Sequence, residues 1–214
     1  MMESVLAILF FALASHAAPG PIEGSVHYSG DIGLSSADLF VVWSDSCSAA
    51  AKKGPDVELV QNDFHYGPHA LVTTTGAKLR VHNGDKAQHN SFALNNVSFD
   101  SGLQKPGTTY EVKLNQPGIT KVFCRIHPSM EADVLVLTNP CYKEISGNAL
   151  AGEFDLPAPA PGKPPVVWLW STRLKKFLSQ TVAPGKKVEF NLTPGDFMEP
   201  AKVKKPLEND SHPY

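Results

Sequence analysis

Beyond its N-terminal stretch the chain has no apolar run of about 18 residues, so no membrane span is expected in the mature protein. It has no surplus of positive charge either. Lys and Arg number 19 against 21 Asp and Glu, a formal net charge of −2, which excludes the strongly basic footprint of a nucleic-acid binder. No segment carries a convincing amphipathic-helix pattern, and no internal repeat of fixed period occurs. Charged residues are only 19% and apolar residues 42%, a balance that excludes wholesale disorder. Cysteines are few: Cys47, Cys124 and Cys141. An odd count leaves one thiol over, or one with a task of its own.

Turn-forming residues are plentiful. The 214 residues include 18 prolines and 16 glycines, which favours many short strands over long helices. The length suits one large domain or two small ones. The N-terminus reads as an address. Val5 to Ala14 (VLAILFFALA) has the length of a signal-peptide apolar region, and Ser15-His16-Ala17 puts small residues where a signal peptidase reads. Cleavage after Ala17 and export, periplasmic or otherwise, are expected, into a compartment where disulfides persist. A buried helix is the alternative for this run.

Strand signals follow along the chain. Ile22 to Tyr28, Asp38 to Trp43 and Val57 to Gln61 come first, with Ser44 to Pro55 a polar loop. Ala70 to Thr74, Lys78 to His82, Phe92 to Leu94, Val97 to Phe99, Thr109 to Leu114, Ile119 to Phe123 and Asp133 to Leu137 come next. Turn residues such as Asn83-Gly84-Asp85 and Pro117-Gly118 separate them. Closely spaced turns with alternating runs between them predict an all-β sandwich. After Pro140 the texture changes. Gly152 to Leu156, Pro165 to Trp170, Lys175 to Val182 and Lys187 to Leu192 predict a separate β unit, with a loose, charged tail beyond. Trp168 and Trp170 share one strand face; core packing is expected, an exposed aromatic pair for a partner or a sugar being the alternative.

The chemistry concentrates in Val122 to Val136 (VFCRIHPSMEADVLV). Cys124, His127 and Met130 follow at three-residue spacing between two strand-like runs. A tight loop there would bring a thiolate, an imidazole and a thioether to one point. Two imidazoles and a thiolate with a weak axial thioether define a blue-copper site, so a second histidine must come from elsewhere. His89 is the candidate, after the Asn83-Gly84-Asp85 turn and just before a strand. His82, inside a strand, and His65 and His69, flanking a Gly-Pro turn, are weaker. Each residue also has a plain reading: Cys124 as a buried structural thiol, Met130 as core filler, His127 as an ordinary loop histidine. A Cys/His nucleophilic pair would need an orienting third group and an oxyanion hole, and the sequence offers neither, so no enzyme is expected. Zinc would want more thiolates or histidines.

The run from Phe64 to Leu137 resembles the cupredoxins, the blue-copper family of plastocyanin and amicyanin. Phe64 with Pro68, the Gly76 turn, Asn83 with His89-Asn90, Pro117-Gly118 and Cys124-x-x-His127-x-x-Met130 carry the likeness. The short gap before the methionine is nearer to amicyanin. The resemblance implies a Greek-key β-sandwich and one type 1 copper ion held by His89, Cys124, His127 and Met130. It implies a supporting role for Asn90, whose neighbourhood hydrogen-bonds the thiolate. It further implies single-electron transfer with a transient redox protein partner, through a partly exposed His127 ringed by Ile126 and Pro128, with Phe64 and Tyr66 as neighbours. Arg125 departs from the small residue common beside the thiolate.

The wider chain resembles a bacterial group of exported proteins labelled methylamine-utilisation or plastocyanin-like. There a cupredoxin accompanies a smaller transthyretin-like or carboxypeptidase-regulatory-like β-sandwich. Ile22-Glu23-Gly24-Ser25-Val26, Gly152 to Leu156 and Val166 to Trp170 carry this likeness, while Ala-Pro repeats around Pro159 depart from it. It suggests a signal peptide over 1–17, a cupredoxin over 56–139 inserted into a discontinuous sandwich of 20–46 and 141–195, and a loose tail over 196–214. Cys47 and Cys141 fall at the two junctions, so a disulfide between them would staple the neck and leave Cys124 for copper. Two rival functions use the same residues: copper delivery without redox traffic, and an interaction protein in which copper is only structural.

Overall fold

The computed structural model of the chain describes residues 20–30, 32–50, 52–162, 164–183 and 185–198. The expected signal peptide over 1–17 and residues 199–214 of the expected tail lie outside the described residues. In chain order the strands are β1 (Ile22–Tyr28), β2 (Leu39–Ser44), β3 (Val57–Asn62), β4 (His65–Gly67), β5 (Ala70–Thr74), β6 (Lys78–Asn83), β7 (His89–Ala93) and β8 (Phe99–Gln104). There follow β9 (Thr109–Lys113), β10 (Gly118–Phe123), β11 (Glu131–Leu137), β12 (Tyr142–Ser146), β13 (Gly152–Leu156), β14 (Val166–Ser171), β15 (Leu178–Thr181) and β16 (Val188–Leu192). Among the described residues the only helical segments are two short 3-10 turns, Gly147–Ala149 and Pro194–Asp196. The chain is all-β.

Four sheets form: β13-β1-β16, β12-β2-β14-β15, β5-β11-β10-β7-β8 and β4-β3-β6-β9. Three apolar layers lie between them. The first joins Ile22, Val26, Phe154 and Phe190 of one sheet to Phe40, Val42, Val167 and Leu169 of the next. A middle layer joins Val41 and Trp170 to Ala70, Val72, Leu135 and Leu137. A third joins Ala132, Val134, Val136 and Val122 to Leu59, Leu79 and Val81. Successive strand residues point to opposite faces, so β2, β11 and β14 each feed two layers. That is why LFVVW, VVWLW and ADVLVL read as continuous apolar runs rather than alternating ones. Trp170 is buried in the middle layer, whereas Trp168 is half-buried and stacks on Trp43.

Strands β4, β8 and β12 carry no apolar signal of their own, and each lies at a sheet edge, where one flank has no strand to pair with. Of the short strand expected at Val97 to Phe99, only Phe99 is strand, as the first residue of β8, and His89 is the first residue of β7 rather than a residue ahead of it. The first described residues of the tail expected to be loose from residue 196 include a packed one. Phe197 is buried, with its ring edge-on to Tyr28 and Phe40, because the first apolar layer has room for one more aromatic side chain. Cys47 and Cys141 form a disulfide across a sequence separation of 94 residues, and Cys124 is a free, buried cysteine. On the chain-entropy view, closing a loop of that length stabilises the fold by about 4.7 kcal/mol.

Candidate metal centre

Two loops at one end of the sheet β5-β11-β10-β7-β8 bring the donors together. The first leaves β10 at Phe123 and enters β11 at Glu131, so Cys124 and Met130 are its ends. Two backbone bonds close it: Cys124 N–H donates to the Met130 carbonyl at 3.2 Å, and Met130 N–H to the His127 carbonyl at 3.0 Å. Cys124 and Met130 are both buried in the third layer. The second loop leaves β6 at Asn83 and enters β7 at His89. Here side chains do the holding. Buried Asn83 donates from Nδ2 to the carbonyls of Ala87 (2.9 Å) and Gln104 (3.1 Å), and its Oδ1 accepts from Asp85 N–H at 3.0 Å.

His89, Cys124 and His127 offer three ligand atoms within 4.8 Å of one another. The two Nδ1 atoms lie 3.0 Å apart, and Cys124 Sγ lies 3.9 Å from that of His89 and 3.8 Å from that of His127. His89 is fully buried. Its Nε2 lies 2.9 Å from Asp85 Oδ2. Burial works against ionising Asp85, but the N–H groups of Phe64 and Asp63 and the His89 imidazole together hold its carboxyl below the usual range. An ionised carboxylate can only accept, so His89 donates to it from Nε2, an arrangement that in a neutral ring leaves the Nδ1 lone pair facing the cluster. Burial, and then the neighbouring His89, push the pKa of His127 down, a direction that favours the neutral ring needed to bind a cation.

A cation between the three atoms would be held by one lone pair from each. A point equidistant from the three atoms is about 2.1 Å from each, the length of a metal–imidazole bond and slightly short for a metal–thiolate. The donor set is soft on one side and imidazole on the other, and Met130 lies in the same buried cluster as Cys124. These residues fit copper.

Around the cluster lies an apolar rim. The Phe64 ring stands edge-on to His89 and His127, with centroids 5.8 and 4.9 Å away, and Ile126 is exposed beside it. Phe64 sits in the two-residue turn joining β3 to β4, where Asp63 (φ 50°) and Phe64 (φ 59°) both adopt the left-handed conformation. That conformation costs roughly 1 kcal/mol or more for each residue. Both of their N–H groups donate to the Asp85 carboxylate, at 3.0 Å.

The other expected residues fall as follows. Asn90 is buried next to His89, but its Nδ2 donates to Asp100 Oδ1 (2.7 Å) and the Gly102 carbonyl (3.0 Å), tying β7 to β8. Tyr66 is not part of the rim. It is buried on the inner side of the site, its hydroxyl 2.9 Å from Ser91 Oγ and donating to the Phe123 carbonyl at 3.2 Å. Burial, foremost, pushes its pKa up to about 12. Gln61 donates to Ser91 at 2.9 Å, completing a buried polar trio under the thiol. Arg125 lies over the Phe92 ring at 4.8 Å and pairs with Asp100 at 2.9 Å. His82 bonds Thr109 on β9, and His65 and His69 are exposed and face one another; none of the three joins the cluster.

Asp85, Gln61 and Ser91 had no role assigned from sequence. Gln61 had a signal: it follows Leu59 at a two-residue interval in β3, so a polar side chain shares the inward phase. Asp85 stood in plain view as a turn residue.

Among solved structures, the chain is similar to a purple cupredoxin from Nitrosopumilus maritimus. Identity is 22% and the TM-score 0.34, over 38% of this chain and 99% of that one. It is similar to amicyanin from Paracoccus versutus, at 22% identity and a TM-score of 0.34, over 38% of this chain and 80% of that one. It is also similar to a copper-containing nitrite reductase from Thermus scotoductus, at 17% identity and a TM-score of 0.35. That likeness covers 43% of this chain and 25% of the reductase. No protein-family model matches the chain, and no curated protein does.

Proposed function

We propose that the chain is an exported type 1 copper protein that carries single electrons between transient redox partners, and that His89, Cys124, His127 and Met130 would hold its copper. The observation that carries this reading is the buried meeting of two imidazole Nδ1 atoms and one thiol behind an apolar rim. Bound copper supplies the one-electron couple. The rest is done by the chain. His89, Cys124 and Met130 are covered, which keeps water off the donors. The backbone bonds across the 124–130 loop keep the donors in place whichever charge the centre carries. Half-buried His127, between Phe64 and Ile126, is the point of entry and exit for the electron. A small apolar patch suits weak, short-lived docking.

Burial also favours retention over delivery, since a delivery site must let an acceptor reach the donors. The same burial favours a carrier over an enzyme, because the Cys124 thiol is covered rather than open to an incoming substrate. The disulfide supports export. Among the described residues no helix is long and apolar enough to cross a membrane. We assign 56–139 to a cupredoxin unit and 20–46 with 141–195 to the sandwich that carries it; β3 to β11 build two of the sheets, and the flanking strands build the other two.

Visible absorption of the purified protein with and without Cu(II), with Cys124→Ser alongside, tests the reading. An intense thiolate-to-copper band, absent in Cys124→Ser, and a reversible one-electron wave are expected. Copper bound with no such band would overturn the type 1 assignment.

A further inference from the structure

We propose that Asp85 is the positioning residue of this centre: its single carboxylate locks the buried ligand His89 and the rim residue Phe64 into one geometry, and its charge lowers the potential of bound copper. This rests on the copper reading above.

The carboxylate has three partners. Oδ2 accepts from His89 Nε2 at 2.9 Å and from Phe64 N–H at 3.0 Å. Oδ1 accepts from Asp63 N–H at 3.0 Å. The two amides belong to the left-handed residues of the β3–β4 turn, so charge-assisted bonds hold a conformation that the chain itself disfavours. The same turn carries the ring that abuts both imidazoles. Moving the carboxylate would therefore move ligand and rim together.

The fold builds this contact from the backbone up. Gly84 N–H donates to the Gln61 carbonyl at 2.9 Å, bringing the 83–89 loop against β3. A Cβ on Gly84 would lie 3.2 Å from that carbonyl oxygen and 3.2 Å from Val60, so a larger residue would hold the loop off. Asp85 itself is mostly covered, with 14% of its side chain exposed. A carboxylate on the far nitrogen of a ligating imidazole fixes the tautomer and raises the basicity of the ring. A stronger donor and a nearby negative charge both favour the more positive ion, Cu(II), over Cu(I).

The test uses three variants of the full chain. Asp85→Asn keeps the size and an acceptor oxygen but removes the charge. Asp85→Ala removes the contacts. Asp63→Asn removes one negative charge from the neighbouring β3–β4 turn without touching His89. In the copper-loaded protein, Asp85→Asn should weaken Cu(II) relative to Cu(I) by about tenfold, an upward shift of about 59 mV for a one-electron couple. Asp63→Asn should change that ratio by less than about twofold, its charge being exposed and screened.

In the copper-free protein, imidazole nitrogen NMR should find the His89 proton on Nε2, and Asp85→Ala should lose that preference along with hydrogen-exchange protection at Asp63 and Phe64. A potential in Asp85→Asn no different from that of Asp63→Asn, or an unchanged His89 tautomer in Asp85→Ala, overturns the proposal. A wild-type protein without the thiolate band would sink the copper reading instead, and the metal-free measurements would still decide whether Asp85 positions His89.

Discussion

The layer between sheets β13-β1-β16 and β12-β2-β14-β15 is formed mainly by apolar side chains, among them Phe40, Phe154, Leu169 and Phe190, with Ser44 and Ser171 as buried polar residues on its strands. The layer between the other two sheets is apolar only at one end. At the end near the donors, Gln61, Asn83, His89, Asn90, Ser91 and Gln104 are all buried. Among the described residues, the acceptor oxygens of Gln61, Asn90 and Gln104 there have no hydrogen-bond partner. Burying polar groups that are not fully paired costs stability, so the difference separates a region built to hold together from one built to hold something.

Substitutions can break that contrast. The largest effect is expected from Phe40→Ala, which empties a fully buried site and should cost about 4 kcal/mol. Urea denaturation would measure the loss, while the copper spectrum should stay unchanged; an altered spectrum would mean the two layers are not separable. Asn83→Ala should cost less, about 2 kcal/mol, by orphaning two carbonyls and the Asp85 amide. It should also weaken copper binding, as read by competition with a chelator. The smallest effect belongs to Asp38, which pairs with Arg173 at 2.9 Å on the apolar sandwich.

Burial opposes ionisation of Asp38, but the Ser35 amide and Arg173 outweigh it and hold its pKa below the ordinary 3.8. The stabilisation is therefore fully present above the unfolded value and is lost as pH falls through the lower folded one. Asp38→Asn should flatten the acid limb of the stability profile, with no change at the copper site at any pH.

Legibility follows the same division. The apolar runs of β2, β11 and β14 announce strands without their neighbours, because burial on both faces leaves nothing to alternate. Cys124, His127 and Met130 are legible because one short loop carries all three at fixed spacing. The edge strands are not: Phe99–Gln104 contains Asp, Ser and Gly, poor strand formers, and exists because β7 offers a pairing edge. Asp85 eludes sequence for a different reason. Asn83-Gly84-Asp85 has the composition of any turn, and only the approach of β3 across Gly84 converts punctuation into a ligand support.

The Cys47–Cys141 bridge has a topological consequence. Strand β11 starts at the metal loop and ends at Leu137, four residues before Cys141. At about 3.3 Å per residue it spans about 23 Å. The bridge thus closes β3 to β11 into a covalent ring, with the donors at one pole and the clasp at the other. Fraying of the outer sandwich would leave that ring closed and the strand that carries the metal loop tethered at its far end.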